Sequence, residues 1–167
     1  LFRVAEGRRF SALHLPRLAD GTYPAGGFCL TEAGAGSDPA GMKLRARRDG
    51  DDYVLDGEKI YITSGDFAGV FVVWAVTNPD APKGKGISCF LVEKGTPGLS
   101  IGKAEKKLGQ HGSATNTVIF ENCRVPASAL MGRENDGFRI AVGDLGGGRI
   151  GIASVALGIA RAAMDKA

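Results

Sequence analysis

Runs of apolar residues, each a few positions long, alternate with turn residues through the middle of the chain. Runs of this length that are rich in β-branched and aromatic residues are typical of strands. The pairs Asp49-Gly50 and Asp56-Gly57 are typical of tight turns, because glycine readily adopts a positive φ. The pattern predicts antiparallel β structure, as a sandwich or a partly open barrel. The predicted strands are residues 28–31, 44–48, 53–55, 59–63, 70–76, 88–92 and 117–120.

The two ends of the chain have a helical pattern instead. Residues 8–15 predict the end of a helix that Pro16 stops, since proline cannot donate a backbone hydrogen bond. Residues 138–145 and 150–166 predict two further helices, the second with an alanine-rich apolar face suited to close packing. Gly146-Gly147-Gly148 predicts a kink or a break between them, because a glycine costs about 1 kcal/mol relative to alanine inside a helix. The fold class is therefore mainly β with flanking α.

Composition narrows the classes of function. The 167 residues are 44% apolar and 23% charged, as in a globular domain. The net charge of +3 is small and dispersed, which argues against a nucleic-acid partner. No stretch reaches the ~18 uninterrupted apolar residues that a membrane span requires, and no targeting leader is visible. Because the chain opens on Leu1 beside a helical end, we expect it to be a piece of a longer protein.

The sequence predicts neither a metal site nor a disulfide. Cys29, Cys89 and Cys123 are widely separated and form no C-x-x-C pair, and His14 and His111 are isolated from them. This spacing suits neither a zinc site nor a disulfide framework, and it favours a reducing compartment. The glycine-rich stretches also lack the complete signatures of a dinucleotide fold, a P-loop or a serine-hydrolase elbow.

A glycine-rich turn that follows a predicted strand is the first candidate ligand site. Residues 28–38 read Phe-Cys-Leu-Thr-Glu-Ala-Gly-Ala-Gly-Ser-Asp. Small residues let backbone N–H groups approach a ligand closely, so such a turn can hold a phosphate. An ordinary structural turn explains the same residues, so this stretch needs support from a second one.

The predicted strand at residues 59–63 is the second candidate. Its alternation places Tyr61 and Thr63 on one face, an aromatic ring beside a hydroxyl donor. That face suits a flat heterocycle, which would stack on the ring and accept a hydrogen bond. An ordinary strand with a buried tyrosine is the alternative.

With both stretches in place, the chain resembles the acyl-CoA dehydrogenase family. The resemblance continues in order through Asp-Gly-Glu-Lys-Ile-Tyr-Ile-Thr-Ser-Gly at 56–65, Lys-Leu-Gly at 107–109, Phe-Glu-Asn-Cys-Arg-Val-Pro at 120–126 and Gly-Arg-Ile at 148–150. In that family a helical domain, a central β domain and a helical bundle enclose FAD. The resemblance implies that residues 1–25 are the tail of the first domain, 26–134 the FAD- and acyl-CoA-binding β domain, and 135–167 the start of the bundle.

The resemblance also implies the residues of the binding site. Tyr61 would stack on the flavin ring, the Thr63 hydroxyl would donate toward flavin N5, and Thr31 would hydrogen-bond the pyrimidine end. The implied cofactor-binding residues are Phe28, Leu30, Thr31, Gly36, Ser37, Tyr61, Ile62 and Thr63, and the implied substrate-binding residues are Ser37, Leu145 and Arg149.

The implied reaction is α,β-dehydrogenation of an acyl-CoA thioester to the trans-2-enoyl-CoA. Gly148 stands where the isovaleryl and long-chain types have their base glutamate, so the base would lie outside this chain and the chain alone would be inactive. Glu32 and Asp38 are predicted to be structural hydrogen-bond acceptors and not substitutes for that base. Two further departures are Ala33, where the family usually has proline, and Tyr61, where tryptophan is commoner.

Details of the motifs resemble isobutyryl-type members and so favour short or branched acyl groups. The resemblance implies an electron-transfer flavoprotein as electron acceptor, a dimer or tetramer at full length, and a bacterial cytoplasmic or mitochondrial matrix location. Lys83 and Lys85 are either solvated loop charges or contacts for CoA phosphates. Two alternatives stay open, an acyl-CoA oxidase or nitroalkane-oxidase-like flavoenzyme and a non-catalytic module that binds CoA or protein.

Overall fold

The computed structural model describes the backbone of residues 8–167 and the side chains of residues 12–167. Eight strands form the centre of the molecule, and one helix stands at each end of them. The elements are helix α1 (Arg8–Ala19), strands β1 (Ala25–Cys29), β2 (Arg45–Asp49), β3 (Asp52–Thr63), β4 (Ala68–Val76), β5 (Ile87–Glu93), β6 (Leu99–Ala104), β7 (Thr115–Pro126) and β8 (Leu130–Met131), and helix α2 (Gly137–Met164).

The strands follow the order β6-β7-β3-β2-β4-β5-β8, and β1 pairs with β4 outside this path. A single residue pair, Arg45 with Val76, joins β2 to β4, so the sheet consists of two halves with a narrow connection. The halves face each other: the ring of Tyr53 in β3 lies 5.0 Å from that of Phe90 in β5. The sheet is thus a partly open sandwich, as the sequence predicted, and it does not close into a barrel.

Strand β4 is buried on both faces, and its alternation defines two apolar clusters. Phe71, Val73 and Ala75 point into the cluster between the two halves of the sheet. Val72 and Trp74 point the opposite way, into a second cluster that the start of α2 covers. A strand buried on both faces loses the alternation of apolar and polar residues and becomes a continuous apolar run, which is why 70–76 was recognisable in the sequence.

At both ends of the chain, the helix continues past the residue where the sequence predicted it to stop. Helix α1 continues through Pro16 to Ala19, because the proline removes only its own donor and its carbonyl still accepts a bond of 2.9 Å from the Asp20 N–H. Helix α2 is one continuous helix of 28 residues, so Gly146-Gly147-Gly148 does not break it. Glycine propensity is a weak preference, and the leucine, isoleucine and alanine residues on either side outweigh it.

Three predictions about the strands also need correction. Asp56-Gly57 is not a turn but lies inside β3, where β7 carries an extra residue between the pairs Leu55–Cys123 and Gly57–Phe120. Strand β1 pairs parallel to β4, unlike the antiparallel pairing predicted throughout. Strands β6 and β8 were not predicted; β6 carries glycine and lysine, and β8 has only two residues.

Helix α2 is the one helix among residues 8–167 that is long and apolar enough to cross a membrane by length and composition, with a mean hydropathy of 1.3 over its best window. The sequence criterion had excluded it because charged residues interrupt the apolar run. Arg149 lies near the middle of the helix, and Arg161 lies in its last turn. Composition alone does not separate a membrane span from a helix that packs against other helices in a soluble protein.

Candidate functional site

The two candidate stretches are neighbours in the structure. The N–H of Ile60 in β3 donates a hydrogen bond of 2.9 Å to the carbonyl of Thr31, just beyond the end of β1. Glu32 and Ala35 then pair across the turn, with backbone bonds of 3.0 and 3.3 Å. We call residues 30–36 the β1 loop; these bonds hold it against the strand that carries Tyr61 and Thr63.

A buried ion pair lies beneath the β1 loop. The ammonium of Lys59 is 2.8 Å from Glu32 Oε1 and 3.1 Å from the Leu30 carbonyl, and its side chain is wholly buried. Glu32 also accepts backbone N–H bonds from Lys43 at 2.6 Å and Leu44 at 3.0 Å. Burial lowers the pKa of Lys59, while the charge of Glu32 acts in the opposite direction. Glu32 is therefore a structural acceptor, as predicted.

Tyr61 occupies an unusual backbone conformation. Its φ is 58°, in the left-handed region that tyrosine rarely enters, and it lies at a register shift between Lys59 and Ile62. Its side chain is 63% exposed, so the alternative of a buried tyrosine is wrong. Such strain costs of order 1–3 kcal/mol and is characteristic of functional sites. The shift sends Ile62 into the core and leaves Tyr61 and Thr63 outside.

Three other predicted residues are partly or wholly buried. Phe28 is half-buried, and its ring packs on Trp74 with the centroids 4.6 Å apart. Leu30 is 5% exposed and belongs to the cluster under α2. Ile62 is 1% exposed and belongs to the cluster between the halves of the sheet. A ligand at this face would therefore meet Leu30 and Ile62 through their backbones.

The outer part of the β1 loop is open. Gly36 and Ser37 are exposed, and a Cβ built on Gly36 would meet nothing within 4 Å. Asp38 follows them and forms an exposed ion pair with Lys83 from the connection between β4 and β5. Asp38 is thus a hydrogen-bond acceptor, as predicted, and Lys83 has a protein partner. Lys85 is an exposed loop residue.

The two substrate-binding residues predicted on α2 differ in their surroundings. Leu145 is half-buried and packs against the cluster that contains Leu30 and Trp74. Phe28 packs against the same cluster. Arg149, one turn further on, is exposed. The start of α2 is fixed by a bond of 2.8 Å from the Trp74 indole N–H to the Gly137 carbonyl. Leu145 is therefore attached to the same core as the β1 loop.

The chemistry of this face suits a flat, polar heterocycle. Tyr61 offers an exposed aromatic plane, Thr63 an exposed hydroxyl and Thr31 a partly buried one. An aromatic ring and hydroxyl donors are what a flavin would need for stacking and for hydrogen bonds to its nitrogens and carbonyls. The glycines of the loop leave room for a close approach to the backbone.

Lys59 is the residue of this site that the sequence did not single out. Strict alternation along 59–63 would place the Lys59 side chain on the exposed face with Tyr61 and Thr63. Because the register shifts between Lys59 and Ile62, the Lys59 side chain points into the interior instead. The three cysteines are buried and free, and burial raises the pKa of the Cys123 thiol to about 11.

Comparisons with known proteins agree with this architecture. The family model "Acyl-CoA dehydrogenase, middle domain" matches residues 27–123. An acryloyl-CoA reductase (NADH) of Anaerotignum propionicum is 51% identical over 91% of this chain and 39% of its own length. A mitochondrial short/branched chain specific acyl-CoA dehydrogenase of Bos taurus is 47% identical over 92% of this chain and 35% of its own length.

A solved structure gives the same result. The butyryl-CoA dehydrogenase of Megasphaera elsdenii superposes with a TM-score of 0.83 and 44% identity, over 88% of this chain and 38% of that one. The chain belongs to the acyl-CoA dehydrogenase family, since the family model matches more than half of it. It spans between a third and two fifths of the length of these relatives.

Proposed function

We propose that the whole protein is an FAD-dependent acyl-CoA dehydrogenase that converts an acyl-CoA thioester to the trans-2-enoyl-CoA, and that residues 26–134 form its flavin-binding domain. One observation carries the proposal. The β1 loop is bonded to β3 through Ile60 and Thr31, beside an exposed Tyr61 and Thr63. The resemblance gives these positions to the flavin, and family membership supports the assignment.

FAD, when bound, supplies a two-electron acceptor for the hydride that leaves the acyl β-carbon. Tyr61 would stack on the flavin ring, the Thr63 hydroxyl would donate toward N5, and Thr31 would hydrogen-bond the pyrimidine end. The side chain of Phe28 and the backbones of Leu30 and Ile62 close the site around them. Gly36 and Ser37 approach the pyrophosphate through the open outer part of the loop, which is supported by the free space around Gly36.

The substrate-binding residues are Ser37 in the β1 loop and Leu145 and Arg149 on α2. Arg149 is exposed, so its guanidinium is available for an anionic group of CoA. Short or branched acyl groups are the proposed substrates, because the motifs resemble isobutyryl-type members and one relative is a short/branched chain specific enzyme.

The base that removes the α-proton lies outside this chain. Glu32 is committed to Lys59 and to two backbone N–H groups, and Asp38 is paired with Lys83. Position 148 is glycine, so the last helix offers no carboxylate there. Residues 1–167 alone should therefore not turn over butyryl-CoA; turnover at the rate of the full-length enzyme would contradict this assignment.

Absorption spectroscopy of the full-length protein tests the function. We expect the visible absorption bands of bound flavin, and their bleaching on anaerobic addition of isobutyryl-CoA or butyryl-CoA. Tyr61→Gly should weaken FAD binding, because the stacking plane is lost. Phe67→Gly is the matched control, since Phe67 is another exposed aromatic residue, on the turn before β4. A colourless protein that takes up no added FAD would instead support a non-catalytic binding module.

The relative from Anaerotignum propionicum favours a second candidate, reduction of an enoyl-CoA with electrons from NADH. The two directions differ in the electron partner of the flavin. A protein that oxidises butyryl-CoA with an electron-transfer flavoprotein as acceptor is a dehydrogenase, whereas NADH-dependent reduction of acryloyl-CoA would assign it to the reductive direction. Rapid reoxidation of the flavin by oxygen after substrate reduction would indicate an oxidase.

Assembly and location belong to the same proposal. The exposed apolar residues of α2 support packing of this helix against other helices in a dimer or tetramer, and the arginines within it fit that role better than a bilayer. A bacterial cytoplasmic or mitochondrial matrix location follows from the resemblance. Fractionation of cells that express the full-length protein tests it, with flavin absorbance in the membrane pellet as the contrary result.

A further inference from the structure

The buried ion pair of Lys59 and Glu32 has no role in the proposed chemistry, although it lies directly under the site. Lys59 is wholly buried and Glu32 nearly so, which means that neither can contact a ligand on the exposed face. Most charged side chains avoid such positions unless they are paired and fully hydrogen-bonded. The pair meets this condition with bonds to both the β1 loop and the chain leading into β2.

The bonds of Lys59 connect the two halves of the candidate site. Its backbone belongs to β3, two residues before Tyr61, and its ammonium bonds the Leu30 carbonyl and the Glu32 carboxylate on either side of Thr31. The Thr31 carbonyl itself accepts the Ile60 N–H. Three consecutive loop residues are thereby attached to two consecutive strand residues. These bonds hold the backbone of Thr31 against the strand that carries Tyr61 and Thr63.

The pair is also where the register of β3 changes. Lys59 still pairs with Val118 of β7, and regular pairing resumes only at Ile62. The residue that carries the positive φ, Tyr61, stands inside this interval. The buried ammonium is thus anchored at the start of the shift, two residues before the outward-facing Tyr61.

We propose, on the basis of the proposed flavin site, that Lys59 and Glu32 are positioning residues that set the geometry of that site without touching the ligand. A buried ion pair contributes little to net stability compared with apolar groups of the same size, because desolvation offsets the attraction, but it specifies one arrangement of its neighbours. Removal of both charges should therefore leave the fold intact and loosen the loop.

The experiment compares the full-length protein with the double variant Glu32→Gln, Lys59→Met. Single variants are unsuitable, because each leaves an unpaired charge in the interior and can unfold the protein. The control is Asp49→Asn, Arg124→Met, which removes an exposed ion pair from the same sheet. Two readouts are measured: hydrogen exchange of backbone amides in the flavin-free protein, and the dissociation constant of FAD by quenching of flavin fluorescence.

We expect the amides of Ile60 and Ala35, which bond the loop, to exchange at least about tenfold faster in the double variant, with a similar loss of FAD affinity, as when supporting residues around a site are removed. The β4–β5 ladder, for example the amide of Val73, which pairs with Phe90, should keep its protection. The control variant should match the wild type in both readouts.

Three results would overturn the proposal. Unchanged exchange at Ile60 and Ala35 means that the pair does not hold the loop, and unchanged FAD affinity with faster exchange means that the loop geometry does not set the site. Faster exchange throughout β4 and β5 means that the pair supports the whole fold. Failure of the proposed function looks different: a wild-type protein that binds no FAD overturns that function, while pair-dependent exchange of the loop still supports positioning.

Discussion

The β-sandwich and helix α2 differ in how completely their apolar surface is covered. In β4, seven of nine residues are buried, and both faces are packed. In α2, among 28 residues, only Gly137, Ile140 and Ala141 are buried, and beyond Leu145 every residue is exposed. The apolar core of the sandwich lies within this chain. Most of the apolar surface of α2, in contrast, is not covered by any of the described residues.

The strands and helix α2 therefore differ in what stabilises them within this chain. Burial of apolar area, at roughly 25 cal/mol per Å², stabilises the strands within this chain. An isolated helix gains little from propensity alone, because most helical stability in proteins comes from packing of its apolar face. Apolar substitutions should therefore be costly in the sandwich and nearly neutral in the second half of α2.

The largest contrast is expected between Trp74 and Ile159. Trp74→Ala should destabilise this chain by about 3–5 kcal/mol, because it leaves a large cavity next to Phe28 and removes the bond to Gly137. Ile159→Ala should change stability by no more than about 0.5 kcal/mol, since the side chain is exposed. Urea unfolding of both variants measures this. Equal costs would show that α2 is already covered, for instance by self-association.

A smaller contrast is expected between two adjacent glycines of β1. A Cβ on Gly27 would lie 2.5 Å from the ring of the buried Phe71, whereas a Cβ on Gly26 would meet only the Val70 carbonyl at 3.9 Å. Gly27→Ala should therefore cost about 1–3 kcal/mol through overpacking, and Gly26→Ala should have little effect. Urea unfolding again measures the difference; similar values for the two variants would mean that the core yields around Phe71.

The opposite sign is expected for glycine in α2. A Cβ on Gly147 would meet nothing within 4 Å, so Gly147→Ala should stabilise the helix by up to about 1 kcal/mol. Circular dichroism at 222 nm, the usual helix band, should show a helical signal that persists to higher temperature. A loss of helical signal would indicate that the glycine has a backbone role that this chain does not reveal.

The smallest effect is expected from an exposed ion pair at the surface of the sandwich. A hydrogen bond from Arg124 and the charge of its guanidinium hold the pKa of the Asp49 carboxyl below its usual value. A depressed carboxyl pKa stabilises the fold above the unfolded value, and this contribution is lost as pH falls through the folded value. In Arg124→Gln the Asp49 pKa should rise toward normal, measured by NMR titration. Because the pair is exposed, added salt should reduce the shift in the parent protein.

Much of this architecture could be predicted because local patterns and the fold agree. The buried run 70–76 and the alternation around Ile62 identified β4 and the end of β3. The Asp49-Gly50 turn also forms as predicted, with a positive φ at Gly50. The helix ends and the Asp56-Gly57 pair could not be predicted in this way, since they depend on partners that are distant in sequence, such as the extra residue of β7.

The residues of the candidate site also divide into those that local sequence patterns identified and those that they did not. Phe28, Thr31, Tyr61 and Thr63 were identifiable from two short motifs, and the structure places those motifs side by side. Lys59 was not identifiable, because a period of two breaks at a register shift and nothing local announces the shift. A lysine in an apolar strand, together with one acid in a glycine-rich turn, is the signal that could have suggested a buried pair.

The β1 loop is anchored by residues outside it, and this determines which substitutions the loop tolerates. The hydrogen bonds that shape the loop end on the Glu32 carboxylate or on main-chain atoms, and the Ala33 side chain is exposed. A rigid residue is therefore unnecessary at position 33, where proline is usual in the family. The tip of the loop should therefore tolerate substitution. Ligand preference can be altered there if Lys59 and Glu32, which anchor the loop, are kept.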